Sequence, residues 1–186
     1  MATNNKKVIA AWSKCKVEFG ATGENDAFAS TLVDVGIIKD KTTELSADDG
    51  DTLQLVATGG EVVAEDQNEG TLQLQTTVIE PTAALYEALG IAEAEVNGEQ
   101  KVKTHIVPGD KSVKVTPKNK GAKGIKAPLC RLSVQPIYDE EQGNALLLTF
   151  KIFKTTGIPE TPASGDTPAK DNNYWYSRFT TTEALV

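Results

Sequence analysis

The sequence predicts a mainly β protein, a sandwich or barrel of about eight to ten antiparallel strands with one short α-helix. Three observations support this class. Stretches of alternating apolar and polar residues recur along the chain, turn signals rich in Gly, Asn and Asp separate them roughly every ten residues, and a single stretch has a helical period. The length of 186 residues suits one domain spanning residues 1–186.

The first strands follow from alternation and turn chemistry. Cys15, Val17 and Phe19 alternate with polar neighbours, which predicts a strand ending at Gly20. Further strands are expected from residue 31 onward, at 52–58 and at 71–79. The turns that separate them are Asp49-Gly50, Gly59-Gly60 and Asn68-Glu69-Gly70.

Residues 71–90 predict a strand that leads into the helix. One strand face carries Leu72, Leu74 and Val78, and the other carries Gln73, Gln75 and Thr77. Pro81 fits the first helical position and Gly90 fits the left-handed residue after the last turn, so the helix is expected at 81–89. Its predicted apolar stripe is Ala84, Leu85, Ala88 and Leu89.

The second half predicts more strands and two irregular segments. Asn97-Gly98 is a two-residue hairpin signal before a strand at 101–107, and Val113 and Val115 mark another strand. Residues 129–138 and 145–154 predict a central hairpin with Pro136 at an edge or bulge, and 174–179 a final strand. A lysine-rich loop is expected at 117–128 and a proline-rich arm or loop at 157–173.

Charge is segregated along the chain. The net charge of −7 argues against a bulk nucleic-acid binder. Residues 21–99 hold seventeen acidic residues and two lysines, whereas residues 100–131 hold eight lysines, one arginine and one aspartate. This pattern has two interpretations, a set of solvated faces or a subunit whose acidic surface meets the basic surface of the next copy.

The second interpretation defines candidate contact residues. The candidate contacts between subunits are Lys118, Lys120, Lys123 and Lys126 on the basic side, and Asp48, Asp49 and Asp51 on the acidic side. The neutral strand positions Gln54, Gln73, Gln75 and Thr77 either reflect β-propensity or form a face that lines a wet channel or contacts another copy.

The sequence contains no recognisable catalytic or metal-binding pattern. His105 is the only histidine and has no partner at catalytic or metal-like spacing, and Asp48–Asp51 reads as a turn rather than a calcium loop. Cys15 and Cys130 are expected to be free thiols rather than a disulfide. We therefore expect no enzyme activity and no cofactor. Neither a secretion signal nor a membrane-spanning run is expected.

Residues 28–90 resemble a known family. The segment carries Asp34-Val-Gly-Ile-Ile-Lys-Asp-Lys-Thr-Thr-Glu-Leu, then Asp49-Gly50, Gly59-Gly60-Glu-Val-Val, and Leu72-Gln-Leu-Gln-Thr-Thr-Val-Ile-Glu-Pro before a short helix. This pattern is similar to the major tail tube protein of long-tailed bacteriophages. The resemblance covers about a third of the chain.

The resemblance implies a structural role in a virion. It implies six copies closing into a ring, rings stacking head to tail around an acidic lumen, and DNA passing through that lumen. The implied location is the phage tail, assembled in the host cytoplasm, and the implied partners are copies of the chain, a tape measure protein and a tail-terminator protein. The alternative is an Ig-like β-sandwich that binds a protein or a carbohydrate.

Overall fold

The computed structural model describes residues 12, 14–48, 50, 52–56, 58, 60, 62–67, 70–103, 109–140, 143–155, 174–182 and 185. The described part is mainly β, as predicted, with ten strands and one α-helix. The elements are β1 (Cys15–Ala21), β2 (Val33–Asp34), β3 (Glu44–Asp48), β4 (Thr52–Val56), β5 (Val62–Gln67), β6 (Thr71–Ile79), α1 (Ala83–Ala88), β7 (Asp110–Pro117), β8 (Lys123–Asp139), β9 (Gly143–Ile152) and β10 (Ser177–Thr180).

Eight strands form one antiparallel sheet in the order β2-β1-β7-β8-β9-β6-β3, with β10 paired to β8. The 17-residue strand β8 is shared by two halves of this sheet. Its first half pairs with β7 up to Arg131, and residues 130–139 pair with β9. β10 pairs with residues 123–126 of β8.

The sheet folds over a single core. Phe19 on β1 and Phe150 on β9 lie three strands apart in the sheet, which in a flat sheet would separate them by roughly 14 Å. Their ring centroids are 6.4 Å apart, so the two halves pack face to face. Residues 33–39 connect the two halves on the side where β1 and β6 do not pair, because Val33 pairs with β1 and Ile38 bridges to Val78 on β6.

The core is built from alternate residues of these strands, as the period of two predicts. Leu74 and Val78 are fully buried and Leu72 is half-buried, which confirms the predicted core face of β6. Thr76 also points inward, and its hydroxyl lies 2.9 Å from that of Thr43. Other residues of the same core cluster include Val17, Val113, Val115, Leu146, Leu148 and Ile152.

The helix is shorter than the predicted 81–89. Thr82 is the N-cap residue, and its hydroxyl accepts a hydrogen bond of 3.2 Å from the Leu85 amide, so Pro81 lies outside the helix. Gly90 has φ of +75° and ends the helix as predicted. The predicted stripe is wrong at Ala84, which is exposed, whereas Tyr86 is buried in its place.

The lysine-rich loop predicted at 117–128 is also wrong. Pro117 ends β7, the turn occupies 118–122, and β8 begins at Lys123. Ile125 and Ala127 are buried in the core between lysines that point elsewhere. The alternation of apolar residues was not visible in the sequence because Gly124 carries no side chain. A side chain at this position would clash, since its Cβ would lie 2.5 Å from the ring of Phe179.

Three further predictions are settled by pairing. The Asn97-Gly98 turn is confirmed, because both residues have positive φ and Val96 and Glu99 exchange backbone hydrogen bonds of 2.9 and 3.1 Å. The central hairpin is confirmed as β8 and β9. Of the strand predicted at 101–107, residues 101–103 are described and contain one bridge, at Val102, whereas 104–108 lie outside the described residues.

The final strand is shorter than the predicted 174–179. β10 begins only at Ser177, while Trp175 and Tyr176 pack against the core before it. Tyr174 is joined to Thr155, whose amide donates to the Tyr174 carbonyl at 3.0 Å. The proline-rich stretch at 157–173 lies outside the described residues.

Tyr86 gives the fold a testable pH dependence. Burial, together with its hydroxyl's 3.1 Å contact to the Tyr138 hydroxyl, raises the pKa of Tyr86. Because the phenol ionises more readily in the unfolded chain, the free energy of unfolding should fall as pH rises above about 10. We expect Tyr86→Phe to make this fall shallower in urea unfolding between pH 8 and 11. The exposed Tyr174, changed to Phe, is the control and should leave the slope unchanged.

Candidate subunit interface

The outward face of strands β8, β9, β6 and β3 is polar. Paired residues form two rows across these strands. The rows are Arg131, Lys151, Gln73 and Ser46, and then Ser133, Thr149, Gln75 and Glu44. Gln73 and Gln75 therefore lie together on one outward sheet face, as the sequence predicts.

The other two neutral candidates lie elsewhere. Thr77 is only 7% exposed, because residues 39–42 cover it. The Lys39 amide donates to the Thr77 carbonyl at 2.8 Å, and the Thr77 amide donates to the Thr42 hydroxyl at 3.2 Å. Gln54 is on β4, which belongs to a separate two-stranded sheet. The prediction of an exposed face is therefore wrong for Thr77, and Gln54 lies on a strand that does not pair with β6.

Among the described residues, this four-stranded region has an open edge on each side. β3 ends the sheet, and its residues Glu44 and Ser46 are exposed. On the other side, pairing of β8 with β7 stops at Arg131, so within the described chain residues 132–139 pair with β9 alone. Open edges present unpaired backbone groups that can pair with another chain.

Pro136 lies on the open edge of β8, as predicted. The Phe153 amide donates to the Leu129 carbonyl at 3.0 Å, so Leu129 directs its backbone groups toward the β9 side. Hydrogen-bonded and non-hydrogen-bonded pairs alternate along an antiparallel ladder, so the N–H and C=O groups of even-numbered residues of β8 point away from β9. The missing N–H of Pro136 therefore costs no hydrogen bond to β9.

β4 and β5 form a hairpin that pairs with neither edge of the main sheet. It follows directly from the β3–β6 pair and exposes three valines, Val56, Val62 and Val63. Residues 44–69, which contain it, include eight acidic residues and no lysine, arginine or histidine. An isolated two-stranded hairpin is marginally stable in water, so this one would be stabilised by a partner surface.

The structure describes one of the three acidic candidates. Asp48 is exposed at the end of β3. Asp49 and Asp51 lie outside the described residues. The acidic half of the expected contact is therefore placed only at Asp48.

The four basic candidates have different surroundings. Lys120 is exposed in the turn, and Lys123 is exposed at the start of β8, where its ammonium donates to the Thr180 hydroxyl. Lys118 is half-buried, and its carbonyl accepts from the Leu185 amide. Lys126 is half-buried, with its ammonium 5.4 Å from the ring centroid of Phe179. Lys120 and Lys123 therefore present their charge most openly.

The sequence did not reveal two grooves, of which one lies near the base of the hairpin. One has a volume of about 480 Å³ and is lined by Tyr174, Trp175 and Tyr176 against Leu72. The aromatic run was visible in the sequence, but only as an anchor for the chain. The other, of about 510 Å³, lies on the outward face between Gln73, Arg131 and Lys151. It could not be found without knowing the strand register.

The described residues provide no catalytic constellation. Both cysteines are free, as predicted, and burial raises the pKa of the Cys130 thiol to about 12. No group of three His, Cys, Asp or Glu side chains suited to a metal ion occurs among them, and His105 lies outside them. The described helices are too short or too polar to cross a bilayer.

Comparison with known proteins assigns no family. Neither a scan against protein-family models nor a search of curated proteins finds a match to this chain.

Proposed function

We propose that this chain is a structural subunit that assembles with copies of itself into stacked rings, forming a tail tube through which phage DNA passes. The resemblance of residues 28–90 to major tail tube proteins suggests this role. The observation that carries the proposal is the four-stranded sheet β8-β9-β6-β3, whose outward face is polar and whose two outer edges pair with no other described strand beyond Arg131 of β8.

The strand directions suit side-by-side joining of copies. β8 and β3 run antiparallel to each other, because three antiparallel pairings separate them. β3 of one copy can therefore continue the sheet of the next along the open edge of β8. Such a contact joins two different surfaces, so it generates a ring when the rotation closes. The polar faces would then line one continuous channel.

Charge favours stacking of these rings. The hairpin β4–β5 belongs to a stretch rich in carboxylates, and Lys120 and Lys123 present exposed charge on another part of the subunit. Opposite charges on different surfaces steer copies together and suppress wrong pairings. In this proposal the hairpin of one ring contacts the 118–123 turn of the next.

Sedimentation velocity tests the proposal. Purified protein at rising concentration should shift from monomer to large species, and stacking should weaken between 0.1 and 1 M salt, because the Debye length falls from about 10 to 3 Å. Changing Lys118, Lys120 and Lys123 to Glu should reduce stacking at 0.1 M salt. Lys14→Glu, Lys101→Glu and Lys103→Glu, made together, change the net charge equally and serve as the control.

Two results would count against this account. A monomer at every concentration and salt would contradict assembly itself. If the variant of Lys118, Lys120 and Lys123 stacked as well as the control, the 118–123 turn would not be the stacking surface.

A further inference from the structure

We infer that the groove between Arg131 and Lys151 on the outward sheet face is a binding site for a phosphate group. The groove has a volume of about 510 Å³, and its polar lining consists of Gln73, Arg131, Ser133, Thr149 and Lys151. The inference rests on charge and register within one subunit. It does not depend on ring assembly.

The first observation is a poorly compensated pair of like charges. Arg131 on β8 and Lys151 on β9 are direct cross-strand partners and point to the same face. Like charges directly opposite each other destabilise a sheet. In the described chain, the only acidic group within 4.0 Å of either side chain is Asp110, whose carboxylate is 3.9 Å from the Arg131 guanidinium. Arg131 therefore has one acid at the limit of ion-pair distance, and Lys151 has none within 4.0 Å among the described residues.

The second observation is that both cations are held over one ring. The Arg131 guanidinium lies 5.5 Å and the Lys151 ammonium 5.9 Å from the ring centroid of Phe153. Each distance is within the range of cation–π attraction. Because the same ring attracts both, the charges converge on the groove, and an anion that binds there loses little free energy in ordering them.

A second cross-strand pair of cations, Lys114 on β7 and Lys126 on β8, allows a comparison within the same fold. The Glu18 carboxylate lies 3.5 Å from the Lys114 ammonium, and both ammonium groups lie within 6 Å of the Phe179 ring. The Phe28 ring adds a further contact to Lys126 at 5.6 Å. The carboxylate of this pair is closer to its cation, at 3.5 rather than 3.9 Å, and a second ring contacts one of its lysines, so Arg131 and Lys151 are the less compensated of the two pairs.

The chemistry of the lining indicates the ligand class. Ser133 and Thr149 form the next cross-strand pair on the same face as Arg131 and Lys151, and they supply hydroxyl donors. Gln73 is the cross-strand partner of Lys151 on β6 and supplies an amide donor. A phosphate group offers three or four acceptor oxygens, which suits a guanidinium fork, an ammonium and these donors better than the two oxygens of a carboxylate. The source is either free phosphate or the backbone of a nucleic acid.

Titration of full-length protein with inorganic phosphate, at constant ionic strength, tests the site. Backbone amide resonances of Gln73, Ser133 and Thr149 should shift and saturate with a Kd in the millimolar range. Arg131→Gln with Lys151→Gln should remove saturation. The control with Lys101→Gln and Lys103→Gln loses the same charge from an exposed segment and should bind like the wild type.

Further variants and probes make each outcome decisive. If the double variant unfolds, Lys151→Gln alone should still weaken phosphate binding at least fivefold. Resonance shifts that do not saturate with phosphate would overturn the site. So would a loss of phosphate binding in the Lys101 and Lys103 control as large as that in the Arg131 and Lys151 variant. Acetate binding as tightly as phosphate would overturn the ligand class.

A short DNA duplex distinguishes the two phosphate sources. If the nucleic-acid backbone is the source, the duplex should shift the same resonances, and inorganic phosphate should compete with it. Phosphate binding without any effect of the duplex would assign the site to the free ion. None of these readouts depends on sedimentation, so failure of the site and failure of ring assembly are distinguishable.

Discussion

Replacing Phe150 by alanine is expected to lower the free energy of unfolding by about 3–5 kcal/mol. Phe150 is fully buried near the end of β9, and its ring packs against Phe19 from the opposite half of the sheet. The substitution removes the contact that joins the two halves and leaves a cavity between them. Urea unfolding followed by circular dichroism measures the change.

Leu147 on the same strand is the matched control. It points to the outward face and is only half-buried, so Leu147→Ala should cost clearly less than Phe150→Ala. A cost below about 1 kcal/mol for Phe150→Ala would mean that the two halves are not held by this core.

Replacing Ala47 by proline is expected to abolish assembly while leaving the subunit folded. The Lys39 amide bonds to the Thr77 carbonyl, which shows that Thr77 directs its backbone toward the β3 side of β6. Alternation then points the Ser46 backbone toward β6 and the Ala47 N–H toward the open edge. Proline at position 47 therefore removes a donor that points away from β6 and that the proposed contact with a neighbouring copy would use.

Two substitutions serve as controls for this edge. Ala47→Val adds bulk but keeps the N–H, so it should leave assembly largely intact. Ser46→Pro removes a bond to β6 and should lower the melting temperature instead. Sedimentation velocity and thermal unfolding separate these effects, and normal assembly of a folded Ala47→Pro variant would mean that β3 is not a subunit edge.

Much of the fold could be predicted because burial on one face leaves a period of two in the sequence. The β8–β9 hairpin and β6 were predicted from that period, and Gly90 marked the end of the helix. The start of β8 was missed because Gly124 and the lysines on either side of it conceal two buried positions, Ile125 and Ala127. Local pattern could not show that β8 is long enough to join two halves of the sheet.

The candidate site was less predictable because it depends on register. Gln73 and Gln75 were placed correctly, since alternation alone puts them on the face opposite the core. Thr77 follows the same alternation, yet residues 39–42 cover it, which only the tertiary fold reveals. Arg131 and Lys151 both fall in the predicted hairpin, but the alternation does not fix the register of that hairpin, so the sequence could not show that they lie opposite each other.

The most direct test of the proposed function is electron microscopy of the purified, concentrated protein in negative stain. We expect rings of uniform diameter with a central stain-filled channel, stacking into hollow tubes at low salt. A field of single compact particles without rings, at every concentration and salt, would contradict it.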